Sequence, residues 1–198
     1  MKKLISTVFL ACLIFCLAAC GSSASPAGAG SASSVGVSAS SELASVDSSE
    51  SQEAKIVMPT IAGSNAYDVT VSLEQAGLPK ATRSDTLGGY IFAASDSAYT
   101  YEIYCNENYE IAFMECCSLN IDDGFLGFCA SFPRDDGNSQ AAMDWVNQNA
   151  GGNAETKMGT VTFILAAAEN GTAKTLTVQT DGWDAYLDAA LDAALGLN

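Results

Sequence analysis

From residue 56 onward the apolar positions of this chain alternate between two periods, about 3.6 and 2, and each switch marks the edge of an element. Behind Ser64 and Asn65, the residues Ala66, Val69, Leu73 and Ala76 keep helical spacing, and Gly77-Leu78-Pro79 closes the segment. A short amphipathic helix is expected there. Four runs rich in aromatic and β-branched residues follow, at 88–95, 99–105, 109–119 and 125–132. They are separated by Asp96-Ser97, Asn106-Glu107-Asn108 and Asp122-Asp123-Gly124, which are turn sequences, so the pattern predicts a four-stranded antiparallel meander. Ser139 then opens a second helix, with Ala142, Trp145, Val146 and Asn149 on one face and Gly151 as its stop. The runs TVTFILAAAE and TAKTLTVQT, joined by Asn170-Gly171, read as a hairpin, because Asn-Gly suits a type I′ turn. A third helix, WDAYLDAALDAAL, carries Trp183, Tyr186, Leu187, Ala190, Leu191, Ala194 and Leu195 on one stripe. The expected class is α+β: an antiparallel sheet, made of the meander and a C-terminal hairpin, with about three helices covering one face.

Before residue 56 the pattern is different. Residues 21–54 are almost wholly Ser, Ala and Gly and turn acidic towards their end, with too little apolar side chain to offset the entropy of ordering. They are expected to form a flexible tether with an end-to-end span of about 30 Å. Residues 4–19, LISTVFLACLIFCLAA, are an apolar run behind Lys2 and Lys3, shorter than the roughly 20 residues a spanning helix needs. They read as a signal peptide. Its ending, Leu17-Ala18-Ala19-Cys20 with Gly21 behind, resembles the lipobox of bacterial lipoproteins. The resemblance implies cleavage before Cys20 by the type II signal peptidase and a diacylglycerol on the Cys20 thiol. It places the protein on the extracytoplasmic face of the cell membrane, held by a lipid anchor of acyl chains such as palmitate. Two acyl chains give stable anchoring where one gives only marginal binding. Cys12 and Cys16 lie within the apolar run and leave with the peptide. The other readings of these residues are an ordinary secretory signal, cut elsewhere to release a soluble protein, and an uncleaved anchor helix. The expected domains are the signal peptide at 1–19, the lipidated cysteine and linker at 20–55, and one α+β domain at 56–198. This layout resembles that of small lipoproteins common in Gram-positive bacteria, a likeness that brings no activity with it.

Charge narrows the partners. The chain carries 8 basic and 23 acidic residues, and loss of Lys2 and Lys3 takes its net charge from −15 to −17. Such a field repels phosphate backbones and anionic headgroups, so no nucleic acid is expected and the membrane contact is the lipid alone. The chain has no histidine, which removes the commonest general base and the commonest transition-metal ligand. What survives is carboxylate chemistry, with Glu102, Glu110 and Glu115 as the clustered candidates, or a serine paired with Lys55, Lys80, Lys157 or Lys174. Strand parity puts Glu102 and Glu110 on one face and Glu115 on the other.

Four cysteines fall in the meander: Cys105, Cys116, Cys117 and Cys129. A three-residue turn at Asp122-Asp123-Gly124 sets Cys117 opposite Cys129, a candidate disulfide; a two-residue turn sets Ser118 there instead, and four buried free thiols are the other reading. Cys116 and Cys117, adjacent on a strand, point to opposite faces, so a metal site from these four is not expected. Weak calcium binding has its candidate oxygens at Asp122, Asp123, Asp135, Asp136 and Asn138, although turn chemistry alone accounts for those residues. Asp184, Asp188 and Asp192 form an acidic ridge opposite the stripe of the third helix, a candidate docking surface for a basic partner. Tyr99, Tyr101, Tyr109 and Phe113 are expected to share one sheet face, as core or as a carbohydrate or peptide platform. The function these readings favour is a binding or interaction module for a protein or a cell-wall glycan, with no cofactor beyond the lipid. An inhibitor or immunity-type protein docking a basic partner is one alternative, and a carboxylate-dependent cell-envelope enzyme is another.

Overall fold

The computed structural model describes residues 57–197 apart from 121, 133, 169 and 170. Cys20 and the stretches expected to form a signal peptide and a tether lie outside the described residues. The order of elements is α1 (Ala66–Gln75), β1 (Thr82–Thr86), β2 (Gly89–Ser95), β3 (Tyr99–Asn106), β4 (Ile111–Ser118), α2 (Asp123–Ala130), α3 (Ser139–Gln148), β5 (Ala154–Met158), β6 (Val161–Ala167), β7 (Lys174–Thr180) and α4 (Trp183–Leu195). The class is α+β, as the patterning predicts. Seven strands form one antiparallel sheet in the order β1-β2-β3-β4-β7-β6-β5, so two meanders meet where β4 pairs with β7.

Local chemistry explains the elements. The Asn65 side chain accepts from the Tyr67 and Asp68 amides, at 2.9 and 3.2 Å, and starts α1, which buries Ala66, Val69, Thr70 and Leu73. Asp96 accepts from the Ala98 and Tyr99 amides and closes the β2–β3 turn. At the start of β2 the backbone of β3 comes so close that a Cβ on Gly89 would sit 1.9 Å from the Cys105 carbonyl oxygen, leaving room for glycine alone. Before α1, the chain is pinned to β4 by the Ile61 amide donating to the Ile111 carbonyl at 2.7 Å and by Ser64 Oγ accepting from the Ile111 amide at 2.9 Å.

Alternation along the strands sorts side chains onto two faces. The first face carries Phe92, Tyr101, Ile103, Met114, Cys116, Val161, Phe163, Leu165, Leu176 and Val178, and these pack with residues of α1, α2 and α3 in the main core. Each large side chain fully buried there contributes about 1.5–3 kcal/mol relative to exposure. The second face holds a smaller cluster, in which Trp183 and Tyr186 of α4 meet Ile91, Tyr104, Ala112 and Met58. Helices therefore lie on both faces, not on one as the sequence led us to expect.

Two other expectations need correction. The run 125–132 is not a fourth strand of the meander: residues 123–130 are helix α2, started by Asp122, whose carboxylate accepts from the Phe125 amide at 3.1 Å. Phe125, Leu126, Cys129 and Ala130 are buried while Phe128 is exposed, the spacing of a helix face. Two strands also escaped the reading. TRSDT (β1) and AETKM (β5) are polar because they form the two edges of the sheet, where apolar runs would invite pairing with other chains.

Candidate functional site

The β3–β4 connection decides what the second face displays. Asn106 pairs with Glu110, through its own amide on the Glu110 carbonyl at 3.0 Å, and Tyr109 takes a left-handed φ of 65° in the turn. Beyond it Cys105 faces Ile111 and Tyr104 faces Phe113, so Ala112 is the extra residue of a β-bulge. The shift moves β4 by an odd number of positions relative to the expected register and inverts its faces. Glu102 and Glu115, expected on opposite faces, are direct cross-strand partners. Side chains opposed in this way have Cβ atoms about 4.5–5.5 Å apart.

The pair sits mid-sheet. Ala93 on β2 lies opposite Glu102, Thr177 on β7 opposite Glu115, and the row continues through Ile164 on β6 to Glu155 on β5. The row on one side contains Ser95, Thr100, Cys117, Thr175 and Ala166. On the other side, Ile91, Tyr104 and Phe113 lie under α4. There Trp183 stacks on Phe113 at 5.1 Å and meets Tyr104 edge-on at 5.4 Å, and the Tyr186 hydroxyl donates to the Leu87 carbonyl. The result is a sheet face closed by aromatics at one end and surfaced by threonines and two glutamates at its middle.

Both carboxyls are half-buried, and both are pushed above the ordinary carboxylate range. Desolvation does most of this in each case. A hydrogen bond with Tyr104 pulls Glu102 partly back, whereas the charge of Glu102 pushes Glu115 further up. Two like charges at this separation favour holding a proton or a cationic group between them. Chemically the pair is suited to cation binding or to acid–base work.

The other expected site residues are dispersed. Glu110 stays at the turn, accepting from Asn106 Nδ2 at 2.7 Å, away from the Glu102–Glu115 pair. Asp122 caps α2 and accepts from the Tyr99 hydroxyl at 2.8 Å, and that bond raises the Tyr99 pKa. The side chain of Asp123 lies outside the described residues. Asp136 forms an ion pair with Arg134 Nε at 2.9 Å and accepts from the Asn138 amide. Burial raises its carboxyl, but those two partners outweigh it and hold the group below the usual value. Asp135 donates its amide to the Ala62 carbonyl. Among the described residues no group of three or more His, Cys, Asp or Glu side chains is placed to hold a metal ion. Asp184, Asp188 and Asp192 are exposed along α4, as the ridge requires.

The disulfide and platform expectations change as well. Because residues 123–130 are helical, the turn arithmetic that set Cys117 opposite Cys129 does not apply. Cys117 faces Thr100 and Thr175 on the second sheet face, while Cys129 is buried in the main core with Cys116 and Cys105. Tyr99, Tyr101 and Tyr109 belong to that core too, and Phe113 is on the opposite face. They form no common platform.

Two buried cations were not foreseen. Lys174, 1% exposed, donates to the Asn149 and Ala150 carbonyls at the end of α3. Arg134 lies over the Phe163 ring at 4.8 Å and lines a cavity of about 20 Å³ with Ser64, Cys129 and Met114. Among the described residues no helix is long and apolar enough to cross a membrane. No family model, no curated protein and no solved structure matches this chain.

Proposed function

We propose that this chain is a lipid-anchored, extracytoplasmic binding module that engages a cationic protein segment through the second face of its sheet. The observation that carries the reading is the facing pair Glu102–Glu115, half-buried among Thr100, Thr175 and Thr177 on a face that α4 closes at one end. A carboxylate pair that already resists full ionisation gains most from a cation placed against it. The acidic field of the whole chain would draw such a partner in, with an ionic-strength-dependent on-rate. The anchor rests on the Leu17-Ala18-Ala19-Cys20 sequence. An inhibitor or immunity-type role is a special case of this reading, in which the cationic partner is an enzyme and Asp184, Asp188 and Asp192 widen the contact.

Cross-linking on intact cells, followed by mass spectrometry, compares the natural chain with Cys20→Ala. A discrete basic partner that disappears when the anchor is removed is the expected result. Capture unchanged in Cys20→Ala would remove the anchor from the account, and absence of any protein partner would transfer the site to a wall glycan.

The carboxylate pair also favours a second reading, an envelope enzyme in which one glutamate donates a proton and the other acts as its base or nucleophile. That reading requires the purified domain to cleave wall glycan and Glu102→Gln and Glu115→Gln each to abolish the cleavage.

A further inference from the structure

The cavity beside the main core has polar groups that are not all paired. About 20 Å³ in volume, it lies where the segment before α1, strands β4 and β7 and the end of α2 meet, and its walls are mostly apolar, Ile61, Met114 and Val178 among them. Three polar side chains line it: Ser64, Cys129 and Arg134. Arg134 belongs to the α2–α3 connection, which the Asp135 amide ties to the Ala62 carbonyl at 3.0 Å. Its side chain is 4% exposed and lies over the Phe163 ring. Asp136 engages it through Nε, with the two carboxylate oxygens at 2.9 and 3.0 Å. Arg134 Nη2 is buried and has no acceptor among the described residues. Ser64 Oγ donates to the Ile61 carbonyl at 2.6 Å and accepts from the Ile111 amide at 2.9 Å, which leaves one lone pair of the hydroxyl over.

A guanidinium N–H buried without an acceptor is costly, and protein interiors satisfy such groups with ordered water. The volume suffices for one molecule, since a site of roughly 10–15 Å³ is enough for a water. We propose that this cavity binds one internal water, which accepts from Arg134 Nη2 and donates to Ser64 Oγ, with the Cys129 sulfur as a weak third partner. A purely apolar cavity stays dry, whereas a donor and an acceptor set into apolar walls hold a molecule that can serve both. A halide ion fits the donor and not the rest. Asp136 already compensates the guanidinium, Ser64 presents a lone pair because its proton is given to Ile61, and the chain as a whole is at −15. The water joins the α2–α3 connection to the segment before α1. Through the bond from the Ile111 amide to Ser64, it also reaches β4 at the residue before the bulge that sets Glu102 opposite Glu115.

The test is magnetic relaxation of oxygen-17 and chlorine-35 in sodium chloride solutions of the mature chain, carrying Cys20→Ala so that it stays free of lipid. The same chain is compared with its Arg134→Met and Ser64→Ala variants. Oxygen-17 dispersion counts the waters that a protein holds longer than its surface does, and chlorine-35 relaxation reports bound chloride. The count should fall by one molecule in Arg134→Met and by one in Ser64→Ala, while chlorine-35 relaxation should be the same in all three proteins. A variant that fails to fold loses the whole dispersion rather than one molecule's share, and the other variant then decides. A parent chain without any dispersion overturns the proposal outright, as does an equal count in the parent and in either folded variant. Chlorine-35 relaxation that is enhanced in the parent and abolished in Arg134→Met overturns it too, and gives the site to an anion.

Discussion

The two faces of this sheet are built by different rules. The first is sealed by three helices, with Phe163 and Ile103 of the sheet and Leu126 and Leu73 of the helices all fully buried, and even its cations are enclosed: Lys174 is spent on backbone carbonyls and Arg134 on Asp136 and the Phe163 ring. The second is closed by one helix at one end, and its middle carries two glutamates that face each other. A sheet face with only a structural duty has no need of two like charges directly opposed, an arrangement that works against folding. On the function proposed above, the contrast is one between a stability face and a working face, and mutations should separate them in the same way.

The largest difference should come from aromatic truncation. Phe163→Ala is expected to cost about 4 kcal/mol and to lower the unfolding midpoint of the whole domain in urea, because it opens a cavity under α3 and Arg134. Trp183→Ala opens the second cluster, and its effect should be seen by hydrogen exchange as local release of α4 while strands β2–β4 stay protected. Equal loss of protection throughout both variants would erase the distinction between the faces.

Lys174→Met should come next, at about 2 kcal/mol, since it leaves the carbonyls at the end of α3 without their donor. The same urea titration measures it.

Smaller and opposite in sign is Glu115→Gln, expected to stabilise by about 0.5 kcal/mol at neutral pH by removing one of two facing charges. Its pH dependence follows from linkage. Both carboxyls have folded pKa values above their unfolded ones, so the folded state binds protons more tightly, and stability falls as pH rises from the ordinary carboxylate range through the raised values. In Glu115→Gln this fall should flatten. Urea midpoints at pH 4, 6 and 8 for both proteins read it directly, and an unchanged slope would mean that Glu115 titrates alike in the folded and unfolded chain.

Much of this architecture could be read from the residue pattern. Helices α1, α3 and α4, strands β2, β3 and β4 and the β6–β7 hairpin follow from periodicity and turn residues, because each has a strong apolar face. The failures have physical causes. Phe125, Phe128 and Phe132 gave the run 125–132 the composition of a strand, and only the burial of Phe125, Leu126, Cys129 and Ala130 shows the helical period of α2. Strands β1 and β5 are edges, so their residues are polar and carry no alternating signal. The Glu102–Glu115 pair was hidden by Ala112, since one unpaired residue in a bulge inverts everything beyond it. No rule of composition announces a bulge at that position; the left-handed Tyr109 just before it is the nearest local sign.

The most direct test of the working face is site-specific photo-crosslinking in cells that carry the anchored chain. A photoreactive side chain is placed either at Thr177, beside the carboxylate pair, or at Tyr67, exposed on α1. Our account predicts that the Thr177 position captures a discrete basic protein, that capture is lost at about 0.5 M salt and in the Glu102→Gln, Glu115→Gln double variant, and that the Tyr67 position captures nothing comparable. Capture from Tyr67 alone, equal capture from both positions, or capture that survives loss of both carboxylates would contradict it.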